Sequence, residues 1–299
     1  MSPHTSPIAL IAMDMDGTLL SGAPGRISPE NLAALREAHQ RNIHLAICSG
    51  RVADDAGFFA YDAGLPMHIL ALNGGCIMDR PLGDILSTHH MAPADVEKIL
   101  ALLDVYPSLF CCFADQDLVV NCSPEEAEGH AQQWGSNILR PGSRCTFHAN
   151  SEGLDQLRSR GISKFLVVPH VPAHLPLLRD ALTTQVPGIE VSSSWINNLE
   201  LNPKGINKGT ALQELADRLE IPMNQVMALG DNDNDIPMLQ VAGYGVAMGN
   251  STPGALASAA YVTRSCDQDG VAAAIRSLAL GADEPGVHKL PTPRQQGQA

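Results

Sequence analysis

Two aspartates, Asp14 and Asp16, follow a short apolar run and are separated by a single residue, Met15. In an extended chain the side chains of residues two apart point the same way, so both carboxylates can flank one point. In open α/β sheets ligands bind beyond the carboxyl ends of the strands. The spacing therefore predicts that paired carboxylates act at the end of a buried strand.

Two further apolar runs also end in polar residues. One is followed by Ser49 and Gly50, and a later one by the segment GDNDND, which contains Asp231 and Asp235. In a parallel sheet the loops that follow these runs lie at one edge, where they are expected to meet the first pair of aspartates.

So many carboxylates in a partly dehydrated cleft require a cation, and oxygen ligands favour Mg²⁺ over zinc. The predicted cofactor is Mg²⁺, and the predicted metal residues are Asp14, Asp16, Asp231 and Asp235. Beside the cation Asp14 stays ionised and becomes a nucleophile suited to a phosphoryl group. Asp16 can protonate the leaving oxygen and then accept a proton from water.

Neutral and cationic donors complete the predicted site. The Ser49 hydroxyl and the Gly50 amide can bind an equatorial phosphate oxygen, and Lys208 adds a charge at a predicted helix start. The predicted catalytic residues are thus Asp14, Asp16 and Lys208.

Each motif also has a purely structural interpretation. The stretch DMDGT could be a turn or part of a calcium loop, SGR a helix-entry turn, and GDNDND an Asx-rich loop or a calcium site without the final glutamate of an EF-hand. Their joint occurrence, each directly after a strand of buried type, favours the catalytic interpretation.

Continuous apolar runs alternate with helical patterns, which is typical of βαβ units and a parallel sheet covered on both faces. Ser28 and Pro29 are predicted to cap and begin the first helix. The expected fold is α/β, with a Rossmann-like, doubly wound parallel sheet. The predicted strands are 8–13, 43–48, 69–72, 199–201, 226–229 and 244–247.

The middle of the chain has its own helices and strands without a comparable polar cluster. We expect an inserted α+β domain at 83–192, between core segments 1–82 and 193–281, and a disordered tail at 282–299, which is rich in Gly, Pro and Gln. Four residues are candidates either to face the cleft or to serve as scaffold: Asp115, Asp117, Asn121 and Trp195.

Composition excludes several classes of partner. The net charge of −13, without a Lys/Arg cluster, disfavours nucleic acid. No apolar stretch reaches the roughly 18 to 20 residues of a membrane span, and the N-terminus lacks the pattern of a signal peptide, so a cytoplasmic location is expected. The seven cysteines show no spacing of a zinc or disulfide framework and are interpreted as reduced packing residues.

The ordered motifs DMDGTLL, ICSGR, LNGG, LELNPKGINKGTAL, ALGDNDNDIPML, GVAMGN and DGVAAAI resemble those of the haloacid dehalogenase (HAD) superfamily, and within it the Cof-like phosphatases with a type IIB cap. The resemblance extends to about residue 280. It implies a HAD fold in which the inserted α+β domain is a type IIB cap. It also implies that Asp14 is the nucleophile and Asp16 the acid/base.

The resemblance further implies a ligand set. Mg²⁺ would be held by Asp14, the backbone carbonyl of Asp16 and Asp231, while Asp235 would orient the lysine or the waters of the metal. The implied phosphate contacts come from the Met15 amide, Ser49, Gly50, Lys208 and Asn234.

The predicted function is Mg²⁺-dependent hydrolysis of small phosphorylated metabolites, through an aspartyl-phosphate on Asp14. Sugar phosphates or a phosphorylated cofactor such as pyridoxal phosphate are the expected substrates. A phosphomutase of the same cap class and a non-catalytic sensor of phosphorylated metabolites remain alternatives. A receiver-type signalling domain would need less than half this length. The sequence makes no prediction of oligomeric state.

Overall fold

The computed structural model describes residues 8–22, 25–123, 125–126, 128–129, 140–145, 147–148, 151–194 and 196–291. Two of the predictions fall on other residues: Trp195 and positions 292–299 of the expected tail lie outside the described residues. The chain divides into two compact units. Unit 1 comprises Met1–Ala46 and Gln213–Ala299, and unit 2 comprises Ile47–Leu212.

Strands and helices alternate along much of the described chain. The strands are β1 (Leu10–Met13), β2 (Leu20–Ser21), β3 (Arg26–Ile27), β4 (His44–Cys48), β5 (His68–Ala71), β6 (Cys76–Met78), β7 (Ile85–Thr88), β8 (Ser108–Ala114), β9 (Asp117–Val120), β10 (Phe147–His148), β11 (Lys164–Pro169), β12 (Ile189–Ser192), β13 (Leu199–Pro203), β14 (Val226–Gly230), β15 (Tyr244–Ala247), β16 (Tyr261–Val262) and β17 (His288–Lys289). The helices are α1 (Pro29–Gln40), α2 (Ala53–Ala63), α3 (Pro93–Val105), α4 (Ser151–Arg160), α5 (His174–Gln185), α6 (Lys208–Arg218), α7 (Ile236–Val241), α8 (Pro253–Ser258) and α9 (Gly270–Ala274).

Unit 1 is built on a parallel sheet in which β14 pairs with both β1 and β15, and β15 with β16. Every residue of β1 and β14 is buried, as expected for strands with both faces covered. The register places Met13 opposite Leu229, so the chain leaves both strands at the same level of the sheet. This register brings the loops after β1 and β14 together.

The first helix begins as its sequence predicts. Ser28 is the N-cap, its hydroxyl accepts a 3.0 Å hydrogen bond from the amide of Asn31, and Pro29 is the first helical residue. The side chain thereby satisfies one of the amides that a helix start leaves without a partner.

The segment predicted as a disordered tail contributes a strand to unit 1. His288–Lys289 pairs antiparallel with Tyr261–Val262, which differs from the prediction at these two residues. Composition could not reveal this pairing, because an edge strand of two residues is stabilised by backbone hydrogen bonds to its neighbour and needs no apolar pattern.

Unit 2 contains an antiparallel meander of β5, β6 and β7, and a six-stranded sheet in the order β10-β9-β8-β11-β13-β12. Helices α3, α4 and α5 share one apolar core with that second sheet, through residues such as Ile99, Leu157, Leu182 and Phe165. Helices on a mainly antiparallel sheet are the α+β arrangement that was expected for the middle of the chain.

One strand lies in a different sheet from the one expected. The run 199–201 was predicted to belong to the parallel core, but β13 pairs antiparallel with β11 and β12 in the second sheet. All five residues of β13 are buried. A continuous apolar run signals that a strand is covered on both faces and does not specify its partner, which is why the sequence pattern misplaced it.

The prediction of an α/β fold with a parallel sheet is therefore confirmed. The exact domain limits at 83 and 192 stay predictions. Within the described ranges, no helix combines the length and the apolar character required to cross a bilayer.

Candidate active site

The carboxylates that follow β1 and β14 meet in unit 1. The amide of Asp14 donates a 2.9 Å hydrogen bond to the carbonyl of Leu229, which continues the strand pairing by one residue. Oxygen atoms of Asp14, Asp231 and Asp235 lie within 4.8 Å of one another. Asp14 and Asp235 are buried, and Asp231 is half-buried. Three of the four predicted metal residues thus meet at one edge of the parallel sheet, and among the described residues Asp16 is not part of this group.

The chain turns sharply after Asp14. Met15 is fully buried and Asp16 is exposed, so the two side chains face opposite ways. The amides of Thr18 and Leu20 both donate to the carbonyl of Met15, at 3.2 and 2.8 Å. This turn leaves the carboxylate of Asp16 accessible to solvent next to the buried Asp14.

Glycine is required at position 17 for two reasons. Gly17 has a φ of +87°, and a Cβ atom built on it would lie 2.5 Å from Oδ2 of Asp231. The first feature disfavours other residues conformationally and the second excludes them sterically. Gly17 therefore allows the turn after β1 to approach Asp231 closely.

Thr18 holds Asp231 in place. Its hydroxyl donates a 2.8 Å hydrogen bond to Oδ1 of Asp231, and its own side chain is fully buried. This contact was not predicted from the sequence, where Thr18 was considered only as part of the stretch DMDGT. The available sequence signal for this contact was the position of Thr18 in the same motif as Asp14 and Asp16.

Asp235 organises the loop that carries Asp231. Its Oδ2 accepts hydrogen bonds from the amides of Asp231 and Asn232, at 2.9 and 3.0 Å. The side chain of Asn232 accepts from the amides of Asp233 and Asp235, and the second of these bonds completes a capping box around the short 3₁₀ turn Asp233–Asp235. Asn234, a predicted phosphate contact, is half-buried in this turn.

The residues present fit a magnesium ion. The cluster offers only carboxylate oxygens, which are the hard ligands that Mg²⁺ prefers and that zinc sites rarely use alone. Its carboxylates are mutually close and largely removed from water, so a bound cation would offset their repulsion. Asp14 and Asp231 would be the direct ligands of such an ion, since Asp235 already accepts two backbone amides.

Three of the other predicted phosphate contacts, Ser49, Gly50 and Lys208, belong to unit 2, whereas Met15 belongs to unit 1. Ser49 is buried directly after β4, and its Oγ accepts a hydrogen bond of 3.2 Å from the amide of Arg51. Lys208 begins α6 and is only 1% exposed. The aspartates and Asn234 belong to unit 1, so a joint contact of both groups with one phosphate stays a prediction.

Unit 2 also contains a buried ionic network that sequence reasoning missed. Nζ of Lys164 lies 2.8 Å from Oε1 of Glu200, and Nδ2 of Asn73 donates to Oε2 of the same carboxylate at 2.6 Å. Burial by itself would raise the pKa of Glu200, but the Lys164 charge and the hydrogen bonds from Lys164, Asn73 and Ser194 hold that pKa below its usual value. Glu200 is therefore ionised and paired at neutral pH.

Only a weak signal pointed to this network. Asn73 lies in the LNGG motif, which was noted without a role, and Lys164 and Glu200 stand inside apolar strands. A charged residue in a strand of buried type needs a partner of opposite charge. The sequence contains a lysine in β11 and a glutamate in β13 that can serve as such partners.

The candidate cleft residues of the second sheet make contacts within the scaffold. Asn121 accepts from the amide of Phe110 at 2.6 Å and donates to the carbonyl of Ser108 at 2.9 Å, so it binds the backbone of β8. Asp117 forms an ion pair with Arg160, and Asp115 lies 3.5 Å from the same guanidinium. These contacts favour the scaffold interpretation for Asn121 above all.

A parallel sheet that brings carboxylates together after two adjacent strands, with an α+β unit inserted between them in the chain, defines the HAD class of hydrolases. The chain matches the model of the haloacid dehalogenase-like hydrolase family over residues 11–275 and belongs to that family.

Proteins of known name resemble the chain over nearly its whole length. The 5-amino-6-(5-phospho-D-ribitylamino)uracil phosphatase YcsE of Bacillus subtilis is 30% identical, over 91% of this chain and 96% of its own. The HMP-PP phosphatase of Serratia proteamaculans is 31% identical, over 88% and 92% respectively. Among solved structures, the HAD subclass IIB sugar phosphatase BT4131 shares the fold, with a TM-score of 0.77 at 20% identity and coverage of 90% and 98%.

These likenesses confirm the predicted superfamily and the predicted phosphatase class. They do not test the roles of individual residues, which stay predictions.

Proposed function

We propose that this protein hydrolyses phosphate monoesters of small metabolites with Mg²⁺, by way of an aspartyl-phosphate on Asp14. The observation that carries the proposal is the cluster of Asp14, Asp231 and Asp235, whose oxygens lie within 4.8 Å of one another beside the exposed Asp16. A bound Mg²⁺ would screen the negative charge of the phosphoryl group and neutralise the cluster.

Asp14 is the nucleophile in the first half-reaction. Its buried carboxylate attacks the phosphorus atom, the bond from phosphorus to the ester oxygen breaks, and Asp16 donates a proton to that oxygen. The alcohol leaves and the phosphoryl group stays on Asp14. Burial of Asp14 keeps its carboxylate weakly hydrated. The hydrogen bond of its amide to the neighbouring strand fixes the backbone that directs this carboxylate.

Asp16 acts in the opposite direction in the second half-reaction. Now ionised, it accepts a proton from a water molecule, whose oxygen attacks the phosphorus and releases inorganic phosphate from Asp14. Its exposure gives it access to that water. The Met15 amide, Ser49, Gly50, Lys208 and Asn234 are the proposed phosphate contacts, and Asp235 supports the metal site through the loop of Asp231.

The relatives indicate the kind of leaving group. One acts on a phosphorylated ribitylamino-uracil and another on HMP-PP. We therefore propose small phosphate esters of polyols, sugars or heterocyclic cofactors as substrates. We further propose that the protein acts in the cytoplasm, which fractionation of cells that express it would test.

The experiment that tests this function measures phosphate release from a panel of sugar phosphates, polyol phosphates, pyridoxal phosphate and nucleotides, with Mg²⁺ and with a chelator. The expected result is release that requires Mg²⁺ and is lost in Asp14→Asn. Asp217→Asn serves as the matched control, because Asp217 is exposed on α6 away from the proposed machinery. Full activity of Asp14→Asn, or activity without divalent metal, would overturn the proposed mechanism.

A further inference from the structure

The loop that follows β4 is held by three consecutive backbone carbonyls. The amide of Asn73 donates to the carbonyl of Ser49, and the amide of Leu72 donates to the carbonyl of Arg51, both at 2.9 Å. The carbonyl between them, that of Gly50, accepts instead from Nζ of Lys164 at 2.9 Å. A single charged side chain therefore supplies the central bond of this loop.

These bonds determine where the donors of the loop point. The carbonyl of Ser49 and the amide of Gly50 belong to one rigid peptide group and face opposite ways, so fixing the first aims the second. In the same way, Lys164 fixes the Gly50 carbonyl and thereby aims the amide of Arg51. That amide donates to Oγ of Ser49 at 3.2 Å and so orients the hydroxyl.

The ammonium group is itself held from several sides. Glu200 pairs with it at 2.8 Å, Asn73 binds the other oxygen of Glu200, and the ring of Phe113 lies 5.9 Å from Nζ. Lys164 is 2% exposed. Asn73 thus takes part twice, since its backbone holds Ser49 and its side chain holds the carboxylate that holds Lys164.

The chain at Gly50 leaves little room for any other arrangement. A Cβ atom at this position would lie 2.7 Å from Nζ of Lys164, so a side chain here would displace the ammonium from its place beside the carbonyl. Leu72 and Asn73, with φ of +53° and +55°, adopt the left-handed conformation that places their amides on the loop. Such strained backbone persists where the surrounding structure enforces it.

We propose that Lys164 is a positioning residue that orients the phosphate-binding hydroxyl of Ser49, because it fixes the Gly50 carbonyl and thereby the Arg51 amide. This inference rests on the proposed function, in which that loop binds the phosphoryl group. Glu200 and Asn73 serve to hold the ammonium, and none of the three needs to touch the substrate.

The test separates the effect of losing the Lys164 hydrogen bond to the Gly50 carbonyl from the effect of breaking the Lys164–Glu200 ion pair. Lys164→Met removes the donor and leaves Glu200 as an unpaired buried charge. Glu200→Gln breaks the same pair but keeps the donor on Gly50. The double variant Lys164→Met/Glu200→Gln removes both charges. Because no buried charge is then left unpaired, its thermal stability should return towards that of the wild type. The exposed pair Lys204–Glu190, 3.8 Å apart in the same unit, provides the control Lys204→Met/Glu190→Gln.

For each protein, calorimetry with inorganic phosphate and Mg²⁺ measures binding without turnover, thermal unfolding measures stability, and kinetics on the best substrate give kcat and KM. We expect the double variant to recover most of the thermal stability and still bind phosphate about 10- to 100-fold more weakly, as for a donor displaced by about an ångström. Glu200→Gln should show the reverse, with lower stability and phosphate binding largely kept. The control should match the wild type.

Four outcomes would overturn this inference, the proposed function or both. Recovery of wild-type phosphate affinity in the double variant would reduce Lys164 to a structural role. If the double variant does not fold, equal losses of affinity in Lys164→Met and Glu200→Gln would do the same. A wild type that binds phosphate but hydrolyses no ester would contradict the proposed function and leave this inference standing, whereas one that does not bind phosphate would contradict both.

Discussion

The hydroxyl of Thr18 donates a 2.8 Å hydrogen bond to Oδ1 of Asp231, although the two residues are 213 positions apart in the chain. Thr18 follows the strand that presents Asp14, and Asp231 follows the neighbouring strand. The bond therefore joins the two loops that carry the carboxylate cluster. It also restricts the rotation of the Asp231 carboxylate.

Thr18→Val keeps the shape of the side chain and removes this donor. We expect the Mg²⁺ concentration for half-maximal activity to rise about 10-fold, since partners that orient a metal ligand contribute to metal affinity on this scale. Titration of phosphate release with Mg²⁺ measures the effect. Thr18→Ser, which keeps the hydroxyl, should stay near the wild type, and an unchanged Mg²⁺ requirement in Thr18→Val would show that the bond does not matter to the metal.

Gly17→Ala should impair both folding and the metal site. We expect a loss of at least about 1 kcal/mol of unfolding free energy from the positive φ, and a further loss because the new Cβ would lie against Asp231. Gly22→Ala is the matched control, because Gly22 has a φ of +74° and no atom within 4 Å of such a Cβ. Urea unfolding gives the stabilities, and Mg²⁺ titration gives the metal affinity. If both substitutions lowered the unfolding free energy and the Mg²⁺ affinity equally, steric contact with Asp231 would not be the reason for glycine at position 17.

Glu200→Gln should change the pH dependence of stability. Because the folded-state pKa of Glu200 lies below its usual 4.5, its ionised form stabilises the fold above that pH, and this contribution is lost as the pH falls through the lowered value. At about pH 7 we expect the variant to be less stable by about 3 kcal/mol or more, owing to the unpaired Lys164. The difference from the wild type should narrow below pH 4.5 in urea unfolding experiments. If the difference in unfolding free energy between the two proteins did not change with pH, Glu200 would not be ionised in the native protein.

The cysteines should differ in reactivity. Burial raises the pKa of Cys76 and of Cys112 to about 12, and it also raises the pKa of Cys111 strongly. We expect a disulfide reagent at mildly alkaline pH to label the half-buried Cys122 and Cys266 first, and the buried thiols only after unfolding. Mass mapping of the labelled peptides measures the order. Rapid labelling of Cys76 or Cys112 in the folded protein would contradict it.

The amino-acid sequence by itself determined the local features of this protein. The Ser28 cap, the continuous strands and the position of Asp14 after β1 all follow from patterns that span a few residues, and the structure agrees with them. The carboxylate cluster could also be predicted, because parallel strands bring their carboxyl ends to one edge whatever the details of packing.

Only the tertiary structure decided which distant residues became partners. The bond of Thr18 to Asp231, the pairing of Lys164 with Glu200 and the place of β13 in the second sheet each depend on a choice among several buried neighbours. A sequence pattern records that a residue is buried and what charge it carries, but burial and charge are satisfied equally by any suitable partner. The register and packing of the folded chain make that choice, because they set the distances between atoms.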